Sequence, residues 1–131
     1  MIVDTSAVAA ILFGEPDAAR YVSALEDAPS RLLSAVTRVE ISCVVEGRKG
    51  ESGRADLERL LDAGGFEIVA VTPRHAEIAI EAFRRFGKGR HPAGLNIGDC
   101  FSYALARATG LPLLFKGEDF ARTDIARVFG G

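Results

Sequence analysis

The chain has 131 residues, 48% hydrophobic and 26% charged, with 16 basic and 18 acidic side chains and a formal net charge of -2. That length and balance predict a single domain, residues 1–131, with enough apolar material for a core; they exclude a generally cationic nucleic-acid binder, and no apolar run approaches the roughly 18 residues of a membrane span. No signal peptide is expected, because Asp4 comes at once, and Cys43 and Cys100, lacking scaffold or metal spacing, fit a reducing cytoplasm as small buried residues.

The chain begins with Met1-Ile2-Val3-Asp4-Thr5-Ser6, a short apolar run that ends in a carboxylate. β-branched Ile2 and Val3 suit a central strand, and Thr5 or Ser6 is expected to cap a helix over Ala7 to Phe13. Gly14-Glu15-Pro16-Asp17 breaks that helix, and Pro16 lies near the first position of the next, which runs to about Glu26. Arg31-Leu32-Leu33-Ser34 is a second strand candidate. A helix from Val36 to Gly47, a polar turn at Lys49 to Gly53 and a further helix through Leu60 and Leu61 follow. Phe66 to Val71 reads as a third strand, and Thr72-Pro73 opens a helix continuing through Ala76, Ile80 and Phe83. Asn96 is expected to cap a helix from Ile97 to about Thr109, which Gly110 ends before a fourth strand at Leu111 to Phe115. The tail carries a turn and a short last strand around Ala126 to Phe129. Strands alternating with helices predict a three-layer α/β/α domain around a central, mainly parallel sheet.

Three acids stand out against this pattern. Asp4 falls at the carboxyl end of a strand, where open α/β sheets bind ligands. Glu40 lies among Val36, Val39, Cys43 and Val44, the predicted apolar stripe of its helix, and a carboxylate on such a face needs a partner or a metal. Asp99 follows Asn96 by three positions, which suits an imperfect capping box and equally a site acid held rigidly at a helix terminus. Glu118 and Asp119 follow the fourth strand, and Asp124 can cap the final short element. Positive charge is concentrated in Arg84-Arg85-Phe86-Gly87-Lys88-Gly89-Arg90-His91, which contains no acid. Arg84 and Arg85 suit a helix end, whereas Lys88 to His91 lie beyond it in a glycine-rich loop.

Other chemistries have less behind them. Neither histidine sits in a nucleophile–base pattern, there is no G-x-G-x-x-G after the first strand and no P-loop, and zinc would want more His or Cys than Cys100 beside Asp99. Ile2-Val3-Asp4-Thr5-Ser6, Thr37-Arg38-Val39-Glu40, Leu95-Asn96-Ile97-Gly98-Asp99-Cys100 and Phe115-Lys116-Gly117-Glu118-Asp119-Phe120, in that order, resemble the PIN domain, and more narrowly the VapC-type toxins of bacterial toxin–antitoxin pairs. The resemblance covers essentially the whole chain. It implies a Mg2+- or Mn2+-dependent endoribonuclease acting on tRNA or rRNA, neutralised by a VapB-type antitoxin and forming a homodimer within that complex. It also implies that Asp4, Glu40 and Asp99 are the three main acids and Asp119 the fourth. Many relatives carry an acid or Asn where this chain has Gly117, so Glu118 and Asp124 stand as alternatives for that last position.

Converging carboxylates repel, and a hard divalent ion with all-oxygen ligation relieves them. Asp4 and Asp99 are expected to touch the ion most directly, Glu40 and Asp119 to bind through water or orient the nucleophile, and Thr5 or Ser6 to support them by hydrogen bonds. Lys88, Arg90, His91 and Lys116 are the candidates for gripping the RNA backbone. Two rival readings are a phosphatase-like or receiver-like α/β domain, which would want Asp-x-Asp after the first strand, and a catalytically silent partner-binding module, which would not need all four acids.

Overall fold

The computed structural model describes residues 1–129. Four short strands, β1 (Ile2–Val3), β2 (Leu32–Ser34), β3 (Glu67–Val69) and β4 (Leu113–Leu114), form one sheet in the order β3-β2-β1-β4, with every pairing parallel. The helices are α1 (Thr5–Leu12), α2 (Ala18–Asp27), α3 (Ala35–Ala63), α4 (Pro73–Phe86) and α5 (Ile97–Thr109), followed by a 3-10 turn at Phe120–Arg122. Among the described residues no helix is long and apolar enough to cross a membrane.

Strand alternation divides the core in two. Ile2 and Leu113 point to one face, where they pack with Ala82, Leu95, Tyr103 and Leu105 from α4, α5 and the loop between them. Val3, Leu33 and Leu114 point to the other, against Val8, Tyr21, Ile41 and Leu57 from α1, α2 and α3. The architecture is therefore the expected α/β/α sandwich. Leu33 and Leu105 are almost wholly buried, and truncating either to Ala costs about 2–5 kcal/mol.

Local signals set most boundaries. Thr72 accepts a hydrogen bond from the His75 N–H with Pro73 behind it, and Gly110, in the left-handed region at φ 73°, closes α5. α3 is two helical segments joined at Gly50 (φ 59°, ψ -144°), within the polar turn expected there. Only a glycine turns the chain at that φ without strain. The first cap differs from expectation: Asp4, not Thr5 or Ser6, is the N-cap of α1, accepting from the Ser6 N–H, so both hydroxyl residues lie inside the helix. α2 begins at Ala18, beyond Pro16, and the expected last strand is reduced to a single bridge between Leu113 and Arg127.

The buried faces of two helices also differ. In α3 the core takes Thr37, Ile41 and Val45, while Val39 is 64% exposed and Val44 and Cys43 also face outward. In α4 it takes His75, Ala79, Ala82 and Phe86, leaving Ile80 and Phe83 exposed. At the start of α5, Ile97 is 76% exposed. Each helix carries two apolar stripes one residue apart. In α4 close packing on α5 selects the alanines, because small side chains let the helices approach.

Candidate active site

Asp4 leaves β1 at its carboxyl end with its backbone N–H bonded to Leu114 O at 2.9 Å. The side chain is 2% exposed. Oδ2 accepts from the Ser6 N–H at 3.0 Å and from Ser6 Oγ at 2.7 Å, and Oδ1 accepts from Ser102 Oγ at 2.7 Å. Ser6 Oγ also accepts from the Lys116 N–H at 3.0 Å, which ties the end of β4 to the same corner. Thr5 Oγ1 donates to Glu40 Oε1. Thr5 and Ser6 thus support two different acids.

Glu40 approaches from α3 and lies directly against Gly98 of α5, where a Cβ would stand 2.0 Å from Glu40 Oε2. Glu40 is half-buried although Val39, Cys43 and Val44 of the predicted stripe are exposed. What brings it inward is its position three residues after buried Thr37. Burial raises the Glu40 carboxyl above the usual range, the Thr5 hydroxyl opposes this, and the Asp4 charge adds to it.

Asp99 completes a reciprocal capping box. The Asn96 N–H donates to Asp99 Oδ2 at 3.0 Å, and the Asp99 N–H donates to Asn96 Oδ1 at 2.8 Å. One carboxyl oxygen of Asp99 serves the cap, and the group also feels the charges of other acids. Burial pushes the Asp99 carboxyl up to about 7, the Asn96 hydrogen bond works against that, and the charges of Asp4, Glu40 and Asp119 push further. Asp119, exposed just before the 3-10 turn, therefore acts on the same place. Asp124 does not share it: its carboxylate accepts from Tyr103 Oη at 2.7 Å and pairs with Arg85 at 3.3 Å and Arg107 at 3.8 Å. Glu118 borders a separate hollow with Arg20, Tyr21 and Phe129.

The acids do not close into a ligand cage among the described residues. Glu40 is turned onto Thr5 and Asp99 onto the Asn96 amide. The donor chemistry nevertheless fits a hard cation: all four candidate ligands are carboxylates, and three of them raise the fourth by their charge.

The basic candidates separate. Lys88 and Arg90 are exposed in the loop after α4, and the Arg90 guanidinium stands 5.6 Å from the Phe83 ring centre. Arg90 borders an apolar groove of about 650 Å³ that extends along Phe83 and Phe101 to Ile97, two residues before Asp99. His91 serves the loop itself, its Nδ1 accepting from the Ala93 N–H at 3.0 Å and its ring meeting Phe86 edge-on. Lys116 is committed to Glu15 and, at 2.9 Å, to Asp17, so its charge is largely neutralised locally. Sequence reading missed Ser102 and the buried side of Thr37. The available signal was a serine three positions after Asp99, on the same helix face, among apolar residues.

The PIN domain family model matches residues 1–126. Ribonuclease VapC30 of Mycobacterium tuberculosis is 51% identical over 128 residues, covering 98% of both chains. The crystal structure of Mycobacterium tuberculosis VapC20, described as a sarcin-ricin loop cleaving toxin, matches with a TM-score of 0.78 at 20% identity over 97% of each chain. VapBC2 from Rickettsia felis, bound to a DNA fragment from its promoter, matches with a TM-score of 0.73 at 16% identity, covering 96% of this chain and 94% of that one.

Proposed function

Because the chain belongs to the PIN-domain family, and within it to the VapC ribonucleases, we propose that Asp4, Glu40, Asp99 and Asp119 form the site at which it hydrolyses RNA phosphodiester bonds. The observation that carries this reading is the convergence of acids at the carboxyl end of β1: Thr5, next to Asp4, donates to Glu40, and Glu40 lies against Gly98, the residue before Asp99. Asp4 and Asp99 would hold Mg2+ or Mn2+ most directly, with Glu40 and Asp119 beside them. The bound ion supplies charge neutralisation at the phosphate and a lowered pKa for water.

The chain's own groups account for the remaining steps. Glu40, with its raised carboxyl, is suited to accept the proton of an attacking water. The water oxygen forms a bond to phosphorus as the bond to O3′ breaks in line, and O3′ takes up a proton from solvent, leaving a 5′ phosphate and a 3′ hydroxyl. Lys88 and Arg90, exposed in the loop after α4, grip the backbone of the RNA without reading its sequence. His91 and Lys116 have smaller parts, since both are engaged within the protein.

The biological setting in this reading is a toxin acting in the cytoplasm on tRNA or rRNA, neutralised by a VapB-type antitoxin in a complex built on a toxin homodimer; the likeness to a VapBC complex supports the antitoxin partner. The test is cleavage of total cellular RNA with Mg2+ or Mn2+, with excess chelator, and with the Asp4→Asn variant. Metal-dependent cleavage that Asp4→Asn abolishes is expected. Equal cleavage in chelator, or full activity of a folded Asp4→Asn protein, would overturn the reading.

A further inference from the structure

Two buried hydroxyls outside the acid set connect the helices that carry Glu40 and Asp99. Ser102 and Thr37 are both fully buried at 0% exposure, and their oxygens lie 3.1 Å apart. Ser102 has a single hydroxyl proton, and it is donated to Asp4 Oδ1 at 2.7 Å. Thr37 must therefore be the donor to Ser102, which gives the relay one direction: Thr37 to Ser102 to Asp4. Aligned hydroxyl dipoles polarise one another toward the carboxylate, and a buried carboxylate needs such partners to offset its desolvation.

The spacing gives the relay a second role. Thr37 precedes Glu40 by three residues on α3, and Ser102 follows Asp99 by three on α5, so each hydroxyl shares a helix face with an acid about one turn away. Asp4 Oδ2 already accepts two hydrogen bonds from Ser6. Oδ1 accepts one and keeps capacity for another ligand. Ser102 holds that oxygen.

We propose that Thr37 and Ser102 are positioning residues for the nuclease site: their relay fixes the rotation of the Asp4 carboxylate and the separation of α3 from α5, so that Asp4, Glu40 and Asp99 meet one divalent ion together. This rests on the acid-site reading above. Neither hydroxyl touches the substrate.

The test is calorimetric titration of Mn2+ into the full chain without RNA, paired with kcat and KM on an RNA oligonucleotide and a thermal melt for each variant. Ser102→Ala is expected to weaken Mn2+ binding roughly tenfold to a hundredfold and to lower kcat while leaving KM for RNA unchanged. Thr37→Val should shift both in the same direction by less, Thr37→Ser should restore them, and Thr37→Val should add nothing in the Ser102→Ala background. Asp4→Asn separates the two levels of inference. If it binds Mn2+ as the parent does, the acid site itself is wrong. If it loses Mn2+ while folded Ser102→Ala binds normally, the relay alone is overturned. Should Ser102→Ala fail to fold, the Thr37→Val and Thr37→Ser pair decides: a loss that Ser restores supports the relay, and parental Mn2+ affinity in Thr37→Val overturns it.

Discussion

Gly98 and Glu40 are in direct apposition: a methyl group on Gly98 would stand 2.0 Å from Glu40 Oε2 and 2.6 Å from its carboxyl carbon. The missing side chain at residue 98 is what lets an acid on α3 lie against the first turn of α5. Gly98→Ala should therefore separate stability from activity. The helix gains up to about 1 kcal/mol of propensity from alanine, and the obstructing atoms are the mobile end of a glutamate, so the melting temperature should hold. Glu40 must swing away, and a displacement of about 1 Å at a reacting group costs roughly a hundredfold. Melting curves beside initial cleavage rates check this; parental activity in Gly98→Ala would remove Glu40's position from the mechanism.

Asp99 should make the metal-free protein less stable as pH rises. Burial pushes its carboxyl up to about 7 in the fold, against 3.8 for an unperturbed aspartate. Between those values the folded chain keeps a proton that the unfolded chain has lost, so stability falls as pH rises through the window and levels off above it. Asp99→Asn cannot lose that proton, and its amide oxygen can still accept from the Asn96 N–H. In chelator, the variant's melting temperature should gain on the parent's from pH 4 to 7 and keep a constant lead above that. Saturating Mn2+ should erase the lead by stabilising only the parent. A constant difference across the whole pH range would contradict the burial of Asp99 and the charges gathered around it.

The fourth acid can be identified by a pair of substitutions. Asp119 pushes on Asp99, whereas Asp124 is bound to Tyr103, Arg85 and Arg107. Asp119→Asn is expected to lower cleavage with little change in melting temperature. Asp124→Asn should do the opposite, loosening the tail against α4 and α5 while the folded protein keeps its rate. The reversed pattern would move the fourth corner to Asp124.

For the basic residues the discriminating quantity is the salt dependence of RNA binding. Lys88→Ala and Arg90→Ala should each flatten the slope of log affinity against log salt by about 0.7 for a single-stranded substrate. Lys116→Ala should leave the slope unchanged and modestly lower the melting temperature, because its ammonium group serves Glu15 and Asp17. A slope change confined to Lys116→Ala would reverse that assignment.

The sequence by itself determined the order of elements, the caps at Thr72 and Asn96, the break at Gly50 and the four acids as candidates. These are local matters: a cap, a proline or a left-handed glycine acts through its nearest neighbours in the chain. What only the tertiary structure decided is which face of each helix is buried and which charges are already spent. Val36, Val39, Cys43 and Val44 form a better apolar stripe on paper than Thr37, Ile41 and Val45, yet the second is the one covered. The covering depends on how closely α1, α5 and the sheet approach α3, which periodicity does not encode. For the same reason Glu40 reached the site by a different face than its neighbours predicted, Lys116 was found paired across about 100 residues of chain, and Ser102 was found on Asp4. Long-range pairing needs the fold before its partners can be known.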